Sequence, residues 1–528
     1  MVIWDEEITL PLPVSSLPYE SILFVTLRGT DESSTNATTH AWTCLPLYSG
    51  QRFVRGSVLL SMMCNLQPPP VVTPGAFDVT LPTLVTVQVD FLERDIVFAA
   101  PCPEVGLLYS QAPFEEPSNQ LEVLVHRNSV LLLSEGDKQC LWRYRSCCNK
   151  QRNILPLVLG SAPGWDPESI SAMHTVLRGW KFCHPLEALG LLNACFSDQN
   201  IREMACQQIG YLSNDELLQY LPQLVQAIKF EWNLDNSLVR LLLERSLQNI
   251  QIAHQLYWLL KNALHQPHYR GRFQKVLSAL EFCVGKTLND EFLKEKNLIR
   301  ILHDIAEKVK NAQDSKRQET LQSNLNKLQD LFLEVHVCRL PQDPSIVVKG
   351  INKSACSYFK SNASPLKISF TNADPLGKDI DVIFKAGDDL RQDMLVLQII
   401  QEMDRIWLRE GLDLRIVTYR CLSTGTKQGL VQMVPNATTL AKIHQKSGLL
   451  GPLMDGSIKK WFSSVNCPQA EDNFFYSCAG WCVATFILGV CDRHSDNIMI
   501  TDTGHVFHID FGKFLGHAQK FGSIKRSV

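Results

Sequence analysis

The chain has no long apolar run: the longest, Ala479 to Val490, is shorter than the about 20 residues a helix needs to cross a bilayer, so no transmembrane segment is expected. A basic N-terminal region is absent too, because Asp5, Glu6 and Glu7 stand where a signal peptide carries positive charge. An intracellular protein is the expectation. Charge of one sign is not in excess: 51 Lys and Arg face 54 Asp and Glu, and a net charge of −3 supplies no global field for nucleic acid, which is not expected as a partner. The 17 cysteines include no C-x-x-C pair and no histidine at metal-ligand spacing, which predicts reduced, mostly buried thiols rather than a disulfide scaffold or a zinc site. The first 130 residues hold no dense aspartate cluster of the kind that binds Ca²⁺. What is present is an ordinary globular mixture, 45% apolar and 20% charged over 528 residues, and that length predicts about three to four domains.

Residues 1–130 alternate apolar and polar positions: Val85, Val87, Val89 and Phe91 against Thr86, Gln88 and Asp90, with Ile22 to Leu27 similar. Turn-rich breaks at Asp31–Thr39 and Pro68–Pro70 make an antiparallel β-sandwich the expected form. Gly106–Asn119 reads as a long loop and 131–165 as a linker. Over 166–336 the period becomes helical, with Leu217, Leu218, Leu221, Leu224 and Ile228 on one face and Ile252, Leu256, Leu259 and Leu260 on another. Ser213 and Glu216 form a capping box, and helix follows helix without a strict repeat, as in an all-α solenoid scaffold. The charged stretch Lys308–Lys327 predicts the solvated face of one long helix. From 337 onward short β-branched runs at Ile346–Val348, Leu366–Phe370 and Asp381–Phe384 lead into a helix, Leu390–Glu410, followed by strands at Leu414–Tyr419 and Gly429–Val434. That order suits the N-terminal lobe of a kinase-like α+β domain. Thr438–Val490 is mainly helical up to a loop at Asp492.

Phosphoryl transfer needs a cation over the nucleotide phosphates, oxygen ligands for Mg²⁺ and a base near the attacking hydroxyl. Lys385 ends the apolar strand Val382–Phe384, and Gly387-Asp388-Asp389-Leu390-Arg391-Gln392-Asp393 turns from it into a helix. Downstream, Asp492-Arg493-His494-Ser495-Asp496-Asn497 lies between an apolar helix and the short strand Ile498–Ile500, and Asp510-Phe511-Gly512 follows Val506–Ile509. The Asn497 amide oxygen and the Asp510 carboxylate can converge on a hard cation, and the His494 imidazole can take a hydroxyl proton. Each segment alone has a plainer reading: a solvated lysine, a β-turn, a surface ion pair. Their order and spacing together point to a kinase.

Lys385 with the GDDLRQD stretch, the DRHSDN loop and HIDFG resemble the signatures of phosphatidylinositol 3-kinases and differ from the His-Arg-Asp loop of ordinary protein kinases. The phrases CSYFKSNASPLKISF, LPQLVQAIKFEW and FHIDFGKFLGHAQKFG resemble the class II branch, and the likeness covers nearly the whole chain. It implies three domains: a C2-like β-sandwich at 1–130, a helical accessory domain at 166–336, and a bilobal lipid-kinase domain at 337–528 with an incomplete C-terminal lobe. ATP and Mg²⁺ are the implied cofactors. Lys385 would contact the ATP phosphates, and Ser361 and Asn362 would cover them in place of a glycine-rich loop, since no Walker sequence is present. Asp393 and Tyr419 would lie deep in the nucleotide pocket, Gln432 and Val434 at the hinge beside adenine, and Ile383, Met499 and Ile509 as apolar walls. Asn497 and Asp510 would hold Mg²⁺, and His494, Asp492 and Lys385 would serve the transfer itself.

The segment after Asp510 carries Lys513, Lys520, Lys525 and Arg526 and no acid, a local charge that suits anionic headgroups, with Lys520, Lys525 and Arg526 as the headgroup residues. It lacks the lysine cluster with which class I enzymes meet a 5-phosphate, which implies phosphatidylinositol or its 4-phosphate as substrate. The implied partners are a phosphoinositide-containing membrane surface, met peripherally from the cytoplasm, and proteins bound through the helical and C2-like domains. The chain ends at Val528, within the segment that starts at Asp510, and begins on what resembles an inner C2 strand, so a truncated form is expected. Such a lobe would leave apolar faces of Phe474–Val490 uncovered. A non-catalytic interaction isoform, an atypical protein kinase and a phosphatidylinositol 4-kinase are the alternatives.

Overall fold

A computed structural model describes residues 6–29, 38–64, 67–74, 84–90, 95–99, 123–148 without 125 and 128, 153–446 without 362, 456–515 without 466, and the pairs 520–521 and 524–525. Phe91, the expected loop Gly106–Asn119, Asn362 and Arg526 lie outside the described residues, and of Lys520 and Lys525 the backbone alone is described. The chain divides into two units, Met1–Ile252 with Gln266–Cys283, and Ala253–His265 with Val284–Val528.

In the first unit, alternation produces antiparallel strands. Ile22–Gly29 pairs with Thr38–Pro46, whose other edge takes Met63–Cys64, and Gly56–Ser61 pairs with Leu84–Val89. In the last of these Val85, Val87 and Val89 are half-buried while Thr86 and Gln88 are exposed, the period-two pattern read from the sequence. Helices begin earlier than expected. The stretch 131–165, anticipated as a linker, contains helices Glu135–Arg143 and Leu155–Leu159, the first opened by a Ser134–Asp137 capping box and the second burying Leu155, Leu157, Val158 and Leu159. Pieces of nine and five residues are too short to show a helical period in sequence. The capping box at Ser213 and Glu216 forms as predicted and opens Asn214–Ala227, which buries Leu217, Leu221 and Leu224.

Two polar clusters are enclosed in this unit. Arg202, Glu231 and Arg272 are at most 2% exposed. Arg202 Nε donates to Glu231 Oε1 at 2.9 Å and its remaining nitrogens to the carbonyls of Asn193, Phe196 and Ala227. Arg272 donates to the carbonyls of Ile228 and Glu231 at 3.1 and 2.7 Å. Elsewhere His174 Nε2 lies 3.0 Å from the Asp198 carboxylate, and the Gln199 N–H donates to Glu20 Oε1 at 3.2 Å. Burial, and then the Asp198 charge, push the Glu20 carboxyl up to about 7.

In the second unit, after Ala253–His265, comes the helix Gly285–Asn311, which buries Phe292, Leu298, Leu302, Ile305 and Val309 and packs on the sheet that follows. The expected boundary at 337 therefore does not mark a structural break: the helices from Gly285 to Val335 belong with the kinase-like sheet. Nor is Lys308–Lys327 one helix. The chain leaves the helix after Asn311 and resumes at Arg317–Asn324, because the Arg317 guanidinium takes the carbonyls of Lys310 and Ala312 and pairs with Asp314 at 3.0 Å.

The sheet is antiparallel, in the order Cys421–Gly425, Gln428–Gln432, Ile380–Ala386, Leu366–Asn372, Asp343–Ile351, Cys338–Leu340, with Ser357–Tyr358 added beside Leu366–Asn372. The expected helix forms as Arg391–Arg409. Leu414–Tyr419, expected as a strand, joins no ladder, and its backbone turns at Arg415, φ +50°. It packs instead on the helix Ala470–Ile487 at Gly480, where a Cβ would come within 2.6 Å of Ile416 and 3.1 Å of Leu414. A smaller sheet, Ala437–Thr439, Ile498–Thr501 and Val506–His508, carries the candidate loops. Between helix and sheets lies a core of Val396, Ile400, Tyr419, Trp481, Phe507 and Phe511.

Among the described residues no helix is long and apolar enough to cross a membrane. Ala470–Ile487 does expose Phe475 (69%), Phe486 (80%) and Ile487 (60%). Cysteine burial was overestimated: Cys44, Cys148, Cys206, Cys338 and Cys356 are buried, whereas Cys183, Cys195, Cys283 and Cys482 are exposed, and none of the described cysteines is in a disulfide.

Candidate functional site

Lys385 sits opposite Gly429 near the end of its strand, and alternation puts it on the same face as Ile383. Its side chain is 17% exposed and lies 3.6 Å from the Asp388 carboxylate. Burial works against the ammonium, but the carboxylates of Asp510, Asp393 and Asp388 outweigh it and hold the Lys385 pKa above the usual lysine value. The strand ends in a turn at Gly387, whose φ of +117° is a conformation that only glycine adopts without strain. Asp389 then accepts from the Arg391 N–H at 3.2 Å, and the helix begins.

Asp393, in the first turn of that helix, is 6% exposed and accepts from the Phe511 N–H at 3.1 Å. Burial raises its pKa, opposed by Lys385 and by the Phe511 hydrogen bond, while Asp510 adds to the rise. The buried Tyr419 stands beside the same charges; burial and then Asp393 keep its hydroxyl far from ionising. Lys385, Asp393, Tyr419 and Asp510, distant in sequence, thus share one electrostatic neighbourhood.

The two loops that bring Asn497 and Asp510 are tied to each other. The Ile509 N–H donates to the Asn497 carbonyl at 3.0 Å, next to the ladder pair Ile498 and His508. Asn497 is buried, and its amide N–H donates to the Asp492 carbonyl at 3.0 Å, which turns the amide oxygen the other way. Asp510 is exposed. Among the described residues no group of three or more His, Cys, Asp or Glu is placed to hold a metal. An amide oxygen and one carboxylate beside a phosphate-binding lysine fit Mg²⁺ better than zinc, because Mg²⁺ takes few protein oxygens and fills its sphere with water and substrate phosphate.

Val434, Met499, Ile509 and Tyr419 all join the core under these loops. Gln432 pairs with Val382 across the ladder, and its side-chain oxygen accepts from the Arg420 N–H at 2.9 Å. Ser361 is exposed on the loop between Ser357–Tyr358 and Leu366–Asn372. Because Leu366 pairs with Phe384, that loop leaves the sheet at the Lys385 end. His494 is 53% exposed, with its ring 4.0 Å from Asp496, and Asp492 engages Asn497 through its carbonyl rather than its carboxylate. The backbone pair Lys520–Phe521 with Ile524–Lys525 is described, and the side chains of the headgroup candidates are not placed among these groups.

The sequence alone assigned Arg493 no role. Its NH1 donates to the Ile509 carbonyl at 2.8 Å, its NH2 to that of Asp510 and its Nε to that of Cys491 at 3.1 Å, and it lies over the Phe511 ring. It fastens the two candidate loops together. Trp481, with no polar signal at all, stacks within 7° of parallel on His508 and within 2° on Phe511.

A lysine and two aspartates in one electrostatic neighbourhood, with an asparagine tied to the same pair of loops, suit the binding of a phosphate and a hard cation. Residues 379–528 match the family described as phosphatidylinositol 3- and 4-kinase, and residues 110–292 match the phosphoinositide 3-kinase family accessory domain, the PIK domain. The whole chain is 57% identical to the phosphatidylinositol 3-kinase C2 domain-containing subunit gamma of Homo sapiens, covering 36% of that protein. It is 54% identical to the subunit of the same name from Mus musculus, covering 35% of it, and 43% identical to the human phosphatidylinositol 4-phosphate 3-kinase C2 domain-containing subunit beta, covering 34%, again over the full chain. The chain belongs to the class II phosphatidylinositol 3-kinase family. It spans about a third of the length of these relatives.

Proposed function

We propose that this chain carries the nucleotide-binding part of a lipid kinase that transfers the γ-phosphate of ATP to the 3-hydroxyl of phosphatidylinositol or phosphatidylinositol 4-phosphate. The observation that supports it most is the Lys385 ammonium held between Asp510, Asp393 and Asp388, with Asn497 tied to the residue before Asp510. In this reading Lys385 binds the phosphates while Ser361 and Asn362 cover them. Ile383, Met499, Ile509 and Val434 enclose the base, with Gln432 at the hinge. Asn497 and Asp510 hold Mg²⁺, which when bound neutralises charge on the transferring group. Asp393 fixes the backbone of Phe511 and so sets where the Asp510 carboxylate stands. The exposed His494 ring, whose Nδ1 now accepts from the Asp496 N–H at 3.3 Å and would give up that bond, takes the proton of the attacking hydroxyl, and the Asp492 backbone positions Asn497.

The antiparallel N-terminal strands are read as a C2-like module, and Lys520, Lys525 and Arg526 as the residues that face the lipid headgroup. The protein then acts from the cytoplasm, peripherally at a phosphoinositide-containing membrane, with the helical and C2-like parts open to protein partners. The test is lipid phosphorylation on vesicles containing phosphatidylinositol or its 4-phosphate, run beside a thermal-shift titration with Mg²⁺ and ATP. Wild type is expected to be stabilised by the nucleotide and to label lipid. Equal labelling by Lys385→Ala, Asp510→Ala and wild type refutes the assignment.

A further inference from the structure

Arg391, inside the GDDLRQD stretch, has no role in the reading above, yet it is held on two sides. Its Nε donates to Asp389 Oδ1 at 2.8 Å and its NH2 to Asp389 Oδ2, a bidentate pair at the mouth of the helix that carries Asp393. Its NH1 donates to His265 Nε2. His265 lies just past the end of the helix Ile250–Ala263, in the same structural unit as Arg391, and its other ring nitrogen, Nδ1, bonds to the Asn262 carbonyl. A carbonyl can only accept, so Nδ1 carries the proton and Nε2 presents its lone pair to the guanidinium. The tautomer is fixed by its own helix end, and the ring is an acceptor aimed at one donor.

From these contacts we infer that His265 is a positioning residue for the phosphate and metal site, acting through Arg391 on the first turn of the Asp393 helix. The contacts run from the Asn262 carbonyl to the His265 ring, the Arg391 guanidinium and the Asp389 carboxylate, and the helix that Arg391 opens then carries Asp393, two residues after Arg391, whose Oδ1 takes the Phe511 N–H. The Arg391–Asp389 pair draws the Asp389 carboxyl below its usual range and raises the Arg391 guanidinium, so both groups stay charged. A guanidinium fastened at one end to the loop after Lys385 and at the other to a separate helix fixes the angle at which the Asp393 helix leaves the sheet. The segment Asn262–His265 is thereby a second attachment for the nucleotide site, outside both kinase loops. In its bearing on catalysis the inference rests on the kinase reading; the contact chain does not.

The deciding measurement is amide hydrogen exchange at Phe511, resolved by peptide fragmentation, because that N–H is the last member of the chain. His265→Phe keeps the ring and removes the acceptor; His265→Gln keeps an acceptor at the Nε2 position. Exchange at Phe511 is expected to rise about tenfold in His265→Phe and in Arg391→Met and to return towards wild type in His265→Gln, as loss of one charge-assisted hydrogen bond predicts. Amides of the Lys385–Gly429 ladder should not change, which separates a lost link from general loosening. Unchanged Phe511 exchange in His265→Phe overturns the inference, and so does equal exchange in the Phe and Gln variants. A thermal shift with Mg²⁺ and ATP on the same proteins keeps the two readings apart. Absence of nucleotide stabilisation in wild type removes the kinase reading, while the exchange data still decide the role of His265.

Discussion

Two clusters of buried charge, one in each unit, look alike in composition and differ in what is left over. Around Glu231 the acid is fully engaged and nothing reaches solvent: Arg202 takes the carboxylate, and the enclosed Arg272 takes the carbonyls of Ile228, Glu231 and Pro74 and the Thr73 hydroxyl. Around Lys385 there are more carboxylates than the single ammonium can satisfy, and one of them, Asp510, reaches solvent. Burial of charge is therefore not a sign of function by itself. A cluster that closes on itself holds a fold together; one with an unsatisfied, accessible oxygen can take a cation or a substrate.

That contrast can be broken most directly at its closed end. Glu231→Ala leaves two buried arginines without their carboxylate and should cost about 3–5 kcal/mol in urea denaturation, while nucleotide stabilisation of whatever remains folded is unchanged. If it weakened nucleotide binding as much as Asp510→Ala does, the two clusters would not be separate in function. At the open end, Asp510→Ala or Lys385→Ala should lower lipid phosphorylation about 100-fold or more with little change in the urea midpoint. Between the two stands Glu20, half-buried beside Asp198 with its pKa pushed up to about 7. A carboxyl raised from 4.5 binds its proton more tightly when folded, so stability falls as pH rises from about 4.5 through 7. The loss across that range is at most about 3 kcal/mol and should vanish in Glu20→Gln, read from denaturation midpoints. The smallest effect is expected at Arg493. Arg493→Lys keeps the charge but cannot reach three carbonyls at once, and should reduce turnover about tenfold by loosening the Asp510 loop, with the KM for ATP nearly unchanged.

The sequence displayed local structure well where one residue type answers one physical need. Ser213 and Glu216 reported a helix start, Val85–Val89 a half-buried strand, and Asp492–Asn497 with Asp510–Gly512 a pair of loops that the smaller sheet does bring together. What stayed hidden depended on partners far along the chain. Leu414–Tyr419 has the composition of a strand, but Gly480 offers it a helix surface to pack on. The helix break after Asn311 is made by Arg317, which takes carbonyls that no sequence pattern advertises. Arg493 escaped notice for the same reason, since its partners are main-chain oxygens. His265 lies 126 residues from Arg391, and nothing near it in sequence marks it as part of the site.

Asp492 and Asp510, one in each loop, both sit at positive φ, 62° and 63°, where a residue with a Cβ is disfavoured and glycine is at ease. Each loop thus turns its corner at an acid in the torsional range that best suits the residue with no side chain at all. Glycine at both places should give a chain that melts later and transfers nothing, so durability and turnover would part company at two α-carbons.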